Sequence, residues 1–291
     1  MRRNYPSSFF TFICVAGLSP SLLAGELFYV TNDNRVSVVA DGVVTPLASG
    51  RGLPNGMAMD KSGNLFVGDA GDHTVWKLTP SGQVTTFATL TQENPTGIAI
   101  DPGGNVFVAT IAHNRIYKIT PSGQTSVISA GSPQIPYDLA FDQAGNLFIA
   151  SFAANRFSGF ITELKPSGQT SVLASGLDHP AGLTVDSAGN VYVANFADNG
   201  DAGNVMKIDP AGNKTLMANV NSPSDVAVGA DGSLYVTSHF TSTLSHISPT
   251  GSVIPITQDL EAARNVISVP EPGPAAIMIL LATSLFHRKR R

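Results

Sequence analysis

The sequence predicts an all-β domain of six radially arranged four-stranded blades, a β-propeller. Three observations carry this. Five segments repeat: GMAMDKSGNLFV from Gly56, GIAIDPGGNVFV from Gly97, DLAFDQAGNLFI from Asp138, GLTVDSAGNVYV from Gly182 and DVAVGADGSLYV from Asp225. Their aligned anchors Asp60, Asp101, Asp142, Asp186 and Gly229 are spaced by 41, 41, 44 and 43 residues, a period that marks a repeat architecture. A second signature follows in each unit, as in WKLTPSGQVTTFA, YKITPSGQTSVIS and MKIDPAGNKTLMA. Finally, 28 Gly and 19 Pro disfavour long helices, while 43% apolar residues suffice for a core.

Before the repeats, Arg2 and Arg3 precede the apolar run Phe9–Leu18, and Ala24 and Gly25 offer small residues for cleavage. This is the pattern of a secretion signal, expected over residues 1–24. The single cysteine, Cys14, lies inside it, so the remaining chain is expected to carry neither disulfide nor thiol chemistry. The stretch TFIC is not a convincing lipobox.

Gly25–Ser49 resembles the outer three strands of a unit without the inner one. The missing strand is expected from the other end, Asn265–Pro270, in a register where Ile267, Ser268 and Val269 match Met57, Ala58 and Met59. The propeller is thus expected over 25–270, its first blade completed by the C-terminal strand. Closure of this kind removes exposed strand edges.

Each complete unit reads strand, turn, strand, loop, strand, turn, strand. The inner strand (MAM, IAI, LAF, LTV, VAV) sets a small residue between larger ones; the next (NLFV, NVFV, NLFI, NVYV, SLYV) is β-branched and aromatic. In the first turn Asp bonds its own backbone and Gly tolerates positive φ, and Pro-Ser-Gly supplies the second reversal. The residues D-x-x-G-N-(L/V)-(F/Y)-V, with Asn114-Arg115-Ile116 in the third blade, resemble the NHL-repeat family over roughly the whole body. That resemblance implies fold more than function, because propellers host many activities.

After Val269 come Pro270, Glu271 and Pro272, which end a strand because proline donates nothing to a ladder. Pro274–Phe286 follows, 13 residues without a charge, or ~20 Å as a helix against a hydrocarbon core of ~30 Å. Then come His287, Arg288, Lys289, Arg290 and Arg291, a cluster that the positive-inside rule holds in the cytoplasm. The order V-P-E-P, apolar run, basic end resembles the PEP-CTERM sorting signal, here 269–291. The resemblance implies export in a Gram-negative-type bacterium, transient tethering in the inner membrane, cleavage near Pro-Glu-Pro by an exosortase, and delivery to the cell surface or extracellular matrix. A permanent anchor is the alternative for the same residues.

Removing Arg2, Arg3, Arg288, Lys289, Arg290 and Arg291 from 17 basic residues leaves 11 against 21 acidic ones, a net of −10 over Gly25–Pro272. Such a body is not expected to bind nucleic acid or anionic membrane directly.

Strand order places the short repeated turns on one face and the variable loops on the other. Two longer loops, Phe152–Phe160 with Asn155 and Phe157, and Phe196–Asn204 with Asn199, are expected on the variable face, where function usually resides. In the second, Asp198, Asp201 and Asn204 cluster oxygen ligands suited to Ca²⁺ without the EF-hand spacing; a solvated turn is the preferred reading of the same residues. Near the axis one ring is read as Gly56, Gly97, Asp138, Gly182, Asp225 and Val266, preceded by Asn55, Thr96, Tyr137, Ala181, Ser224 and Asn265. Asp138 and Asp225 replace Gly there, and His179 and His239 are expected on the same side. A His beside carboxylates suits acid–base chemistry, although polar rim residues bathed in water account for them too. Trp76 reads as packing. No phosphate loop, zinc spacing or nucleophile motif is present.

Two readings of function follow. One is an exported, surface-sorted binding or matrix module with an extracellular ligand, protein or polysaccharide. The other is a lyase or lactonase using the variable face, since streptogramin lyases and gluconolactonases resemble this propeller pattern; no full catalytic set of theirs is found.

Overall fold

The computed structural model describes residues 27–49, 52–128, 135–152, 158–196, 202–229 and 231–269. All regular structure among them is β. Blade 1 holds β1 (Leu27–Asn32), β2 (Arg35–Ala40) and β3 (Val43–Ser49), with β24 (Ala263–Val269) innermost. Blade 2 runs outward through β4 (Pro54–Met59), β5 (Leu65–Asp69), β6 (Thr74–Leu78) and β7 (Val84–Thr89). Blade 3 has β8 (Pro95–Ile100), β9 (Val106–Thr110), β10 (Arg115–Ile119) and β11 (Thr125–Ile128). Blade 4 has β12 (Pro136–Phe141), β13 (Leu147–Ser151), β14 (Gly159–Leu164) and β15 (Thr170–Leu177). Blade 5 has β16 (Pro180–Val185), β17 (Val191–Asn195), β18 (Ala202–Ile208) and β19 (Lys214–Asn221). Blade 6 has β20 (Pro223–Val228), β21 (Leu234–Ser238), β22 (Thr243–Ile247) and β23 (Val253–Thr257). The six-bladed propeller is therefore present, closed by the C-terminal strand β24 against β1.

The repeated turns are held as their residue types require. Asp60 Oδ1 accepts from the Ser62 and Asn64 amides at 2.8 Å, and Oδ2 from Asn64 Nδ2 at 2.7 Å. Asp101, Asp142 and Asp186 bind Asn105, Asn146 and Asn190 in the same way. These carboxylates lock turns. Between the sheets lies the core. The second strand of blades 2 to 6 is wholly buried, as in Leu65–Asp69 and Val191–Asn195. Its apolar side chains meet those of the neighbouring blade, as where Phe66 and Val75 of blade 2 pack with Ile98, Val106 and Val108 of blade 3. Trp76 is buried with Val36, Leu65 and Val67, in the packing role expected of it.

One register differs from the expectation by one residue. Met57 pairs with Val67, and its counterpart opposite Val30 is Val266, not Ile267. The side-chain bonds agree: Asp138 accepts from the Leu183 amide of the next blade, Asp225 from Val266, and Asn265 from Met57. Asn265 is thus the ring mate of Asp138 and Asp225, and Arg264 takes the place before it. The step from Asp225 to Asn265 is 40 residues rather than 41, and β24 bulges at Arg264. Pairing of β24 with β1 survives because the two strands are displaced together.

Candidate functional site: the axial cavity of the variable face

Each inner strand enters at the variable face, bulges once and then runs down the axis. The bulges bring Asn55, Thr96, Tyr137, Ala181, Ser224 and Arg264 around one cavity of about 410 Å³. Its floor is the next ring, where residues crowd. A Cβ on Gly97 would lie 2.4 Å from Asp138 Oδ1, and one on Gly182 2.2 Å from Asp225 Oδ1. Glycine is required there because the aspartates occupy the space. Asp138 and Asp225 are 5% and 3% exposed. Asp138 Oδ2 accepts from Leu183 N at 2.8 Å; Asp225 Oδ2 accepts from Val266 N at 2.9 Å and from Asn265 Nδ2 at 2.6 Å. Floor carboxylates therefore bind blade to blade. Beneath them a second cavity, about 450 Å³, opens at the short-turn face beside Met59, Val228 and Val269.

Burial raises the Asp138 carboxyl from 3.8 to about 7, against the hydrogen bonds from the Leu183 and Leu139 amides. Burial, then the charge of Asp138, pushes Asp225 well up. The two form a coupled acid pair that retains protons well above the ordinary carboxylate range. Burial, then the charge of Arg264, lowers His239, so its imidazole is neutral at pH 7. Burial also raises Tyr137, which stays a phenol.

Above the bulge ring stands an aromatic wall. The residue following the second strand donates its amide to the carbonyl just before the inner strand: Ala70 to Leu53, Ile111 to Asn94, Phe152 to Ile135, Phe196 to His179 and His239 to Ser222. This column turns aromatic in blades 4 to 6. Phe152 stacks on Tyr137 at 4.7 Å and meets His179 edge-on at 5.3 Å; Phe240 lies 5.6 Å from Phe196 and 5.2 Å from His239. Phe240 is 66% exposed at the rim. His179 pairs with Asp178 at 3.3 Å and holds φ at +46° directly before Pro180. Ile135, Ser222 and Ala262 share that positive φ at equivalent entries, so the strain belongs to the blade architecture.

Of the residues expected at a site, Asn55, Tyr137, Asp138, Asp225, His179 and His239 line this one cavity. Asn204 lies on β18, where its Oδ1 already accepts from Asn195 Nδ2 at 2.8 Å. Among the described residues no three His, Cys, Asp or Glu side chains are placed to hold a metal. Asn155, Phe157, Asp198, Asn199 and Asp201 lie outside the described residues, as do Pro270, Glu271, Pro272, Arg288, Lys289, Arg290 and Arg291. None of the described residues forms a helix able to cross a membrane. Arg264, Phe152, Phe196 and Phe240 are cavity residues that sequence reasoning did not assign to a site. The off-by-one register hid Arg264; aligning the residue after each second strand would have exposed Phe152 and Phe196.

No family model matches the chain, and no curated protein sequence matches it. Solved structures do. One is a chain of the nidogen/laminin complex, at 18% identity and TM-score 0.76, covering 85% of this chain and 99% of that one. Another is a gluconolactonase of Xanthomonas campestris, at 17% and 0.66, covering 81% and 89%. A third is virginiamycin B lyase of Staphylococcus aureus, at 16% and 0.59, covering 80% of each. At these identities the likeness shows the β-propeller fold alone.

Proposed function

We propose that the protein is an exported, surface-sorted propeller of the NHL type that acts as a binding module through its axial cavity. One observation carries the reading: side chains that depart from the repeat converge there. Tyr137, Phe152, Phe196, Phe240 and Arg264 come from four blades, while the opposite face repeats the same turns. The floor carboxylates serve as struts between blades. Sorting by an exosortase rests on Val269–Pro272 and the terminal basic cluster. In that reading β24 runs from the cavity toward the short-turn face, so attachment beyond Val269 leaves the cavity facing outward.

Thermal-shift screening of the purified protein against organic acids, sugars and peptides tests the binding. A stabilising compound whose effect disappears in Phe152→Ser and Asn55→Leu is expected; hits indifferent to both remove the cavity as the site. For orientation, a cysteine at exposed Thr241 should label on intact cells with an impermeant maleimide, and one at exposed Ser62 should not. The reverse ranking sinks the surface arrangement.

A lyase or lactonase reading has one observation of its own: an acid with its proton poised near neutrality, Asp138, shares the cavity with a neutral imidazole, His239. Turnover of a lactone panel, abolished by His239→Ala and Asp138→Asn, is its test.

A further inference from the structure

We propose that the axial cavity takes an aromatic carboxylate, its carboxylate docked on the Arg264 guanidinium and its ring against the walls built by Tyr137–Phe152 and Phe196–Phe240. This rests on the cavity being the binding site and names the ligand class. Arg264 is the one permanent cation among the described residues lining the cavity, and its Nε is buried without a hydrogen-bond partner among them. No hydrogen bond or ion pair with another described residue holds its guanidinium, so the cation is open to a ligand in the cavity. The planar guanidinium fork matches a carboxylate through two parallel bonds. A single cation above two aspartates favours a monoanion over a dianion.

The walls decide what the rest of the ligand is. A polyhydroxylated sugar needs many open polar partners. Thr96 Oγ1 already donates to Ala109 O at 3.2 Å, and Ser224 Oγ to Ala263 O at 2.9 Å. Asn265 donates to Asp225 and accepts from Met57, which uses both ends of its amide. What faces the cavity broadly is ring surface, in two groups with centroids 4.7 Å and 5.6 Å apart. Offset or edge contacts with such rings favour a flat apolar body. The volume, about 410 Å³, lies in the ordinary range for small ligands.

Isothermal titration calorimetry on the purified full-length protein at pH 6.5 provides the test, with benzoate, 4-hydroxybenzoate and indole-3-acetate as probes and benzamide and glucuronate as comparators. At least one aromatic acid should bind, and the acid should exceed its amide by about tenfold, the worth of one charge-assisted bond. Arg264→Met should erase that preference and Arg264→Lys should keep part of it. The acid–amide comparison needs no variant and so does not depend on any variant folding. Equal binding of benzoate and benzamide overturns the proposal, as does absence of binding by all three acids. Arg264-dependent binding of glucuronate alone overturns the ligand class but leaves the cavity as the site. Binding indifferent to both Arg264→Met and Tyr137→Ala overturns the cavity reading itself.

Discussion

Asp138→Asn isolates the electrostatics of the cavity floor. The Asp138 carboxyl titrates at about 7 in the folded protein against 3.8 ordinarily, chiefly because it is buried. Between those values the folded state keeps a proton that the unfolded chain has released. Stability contributed by this group is therefore fully present below about pH 3.8 and falls as pH rises toward 7. Three pH units at ~1.4 kcal/mol each make the loss roughly 4 kcal/mol by pH 8. Asparagine has the same shape, and its Oδ1 can take the Leu183 amide that Asp138 holds at 2.8 Å. Its Nδ2 cannot accept from the Leu139 amide, which costs about 1 kcal/mol. The variant should thus be more stable than the parent by ~3 kcal/mol at pH 8 and less stable by ~1 kcal/mol at pH 4. Urea unfolding at pH 4, 6 and 8, read as variant minus parent, cancels the titrating groups that do not interact with Asp138; Asp225, which the Asp138 charge helps to raise, shifts with it and adds to the variant's gain at high pH. A difference that stays constant across these pH values would refute the reasoning.

Gly182→Ala should cost ~2 kcal/mol or more, because its Cβ would lie 2.2 Å from Asp225 Oδ1 and 2.5 Å from Asp225 Cα; chemical denaturation reads this directly. Ending the chain before Ala263 strips the buried Ala263 and Val266 and the whole β1–β24 ladder. The loss should approach the ~5–15 kcal/mol that holds a domain together, so a cooperative melt at the parent temperature would contradict the closure. Glu93, 0% exposed between blades 2 and 3, accepts at Oε1 from Arg115 at 3.1 Å and from the Tyr117 hydroxyl at 3.0 Å, with His113 at 3.3 Å. Glu93→Ala should lower stability by ~1 kcal/mol, seen as a lower Tm, since it removes the acceptor of the Tyr117 hydroxyl and of the exposed Arg115 guanidinium.

The fold was legible because its cause is local. Asp60 and Asn64 make a turn with their own side chains and Gly63 with its positive φ, and four copies of that turn set the strands on either side. Tyr137, Asp138 and Asp225 were placed correctly because blades 4 and 6 keep the offset from Pro136 and Pro223. Blade 1 broke the rule. Its two halves come from opposite ends of the chain, so no continuous repeat fixes their phase, and a step of 40 residues shifted Arg264 out of view. Glu93 was invisible for another reason. It precedes the inner strand of blade 3, and its partners His113, Arg115 and Tyr117 lie 20 to 24 residues later, joined by packing and not by pattern.

The shared first blade sets the order of events when the protein is made. Leu27 cannot find its inner neighbour until Val269 has been synthesised, although the blades between can form from contiguous chain. Ring closure is the contact of greatest sequence separation, and such contacts form late and slowly. Until then β1 offers an unpaired edge, and the interface around Phe28, Val30 and Leu260 stays unfinished. A nascent chain held in that state is still pliable. The disc is locked only after the last strand arrives.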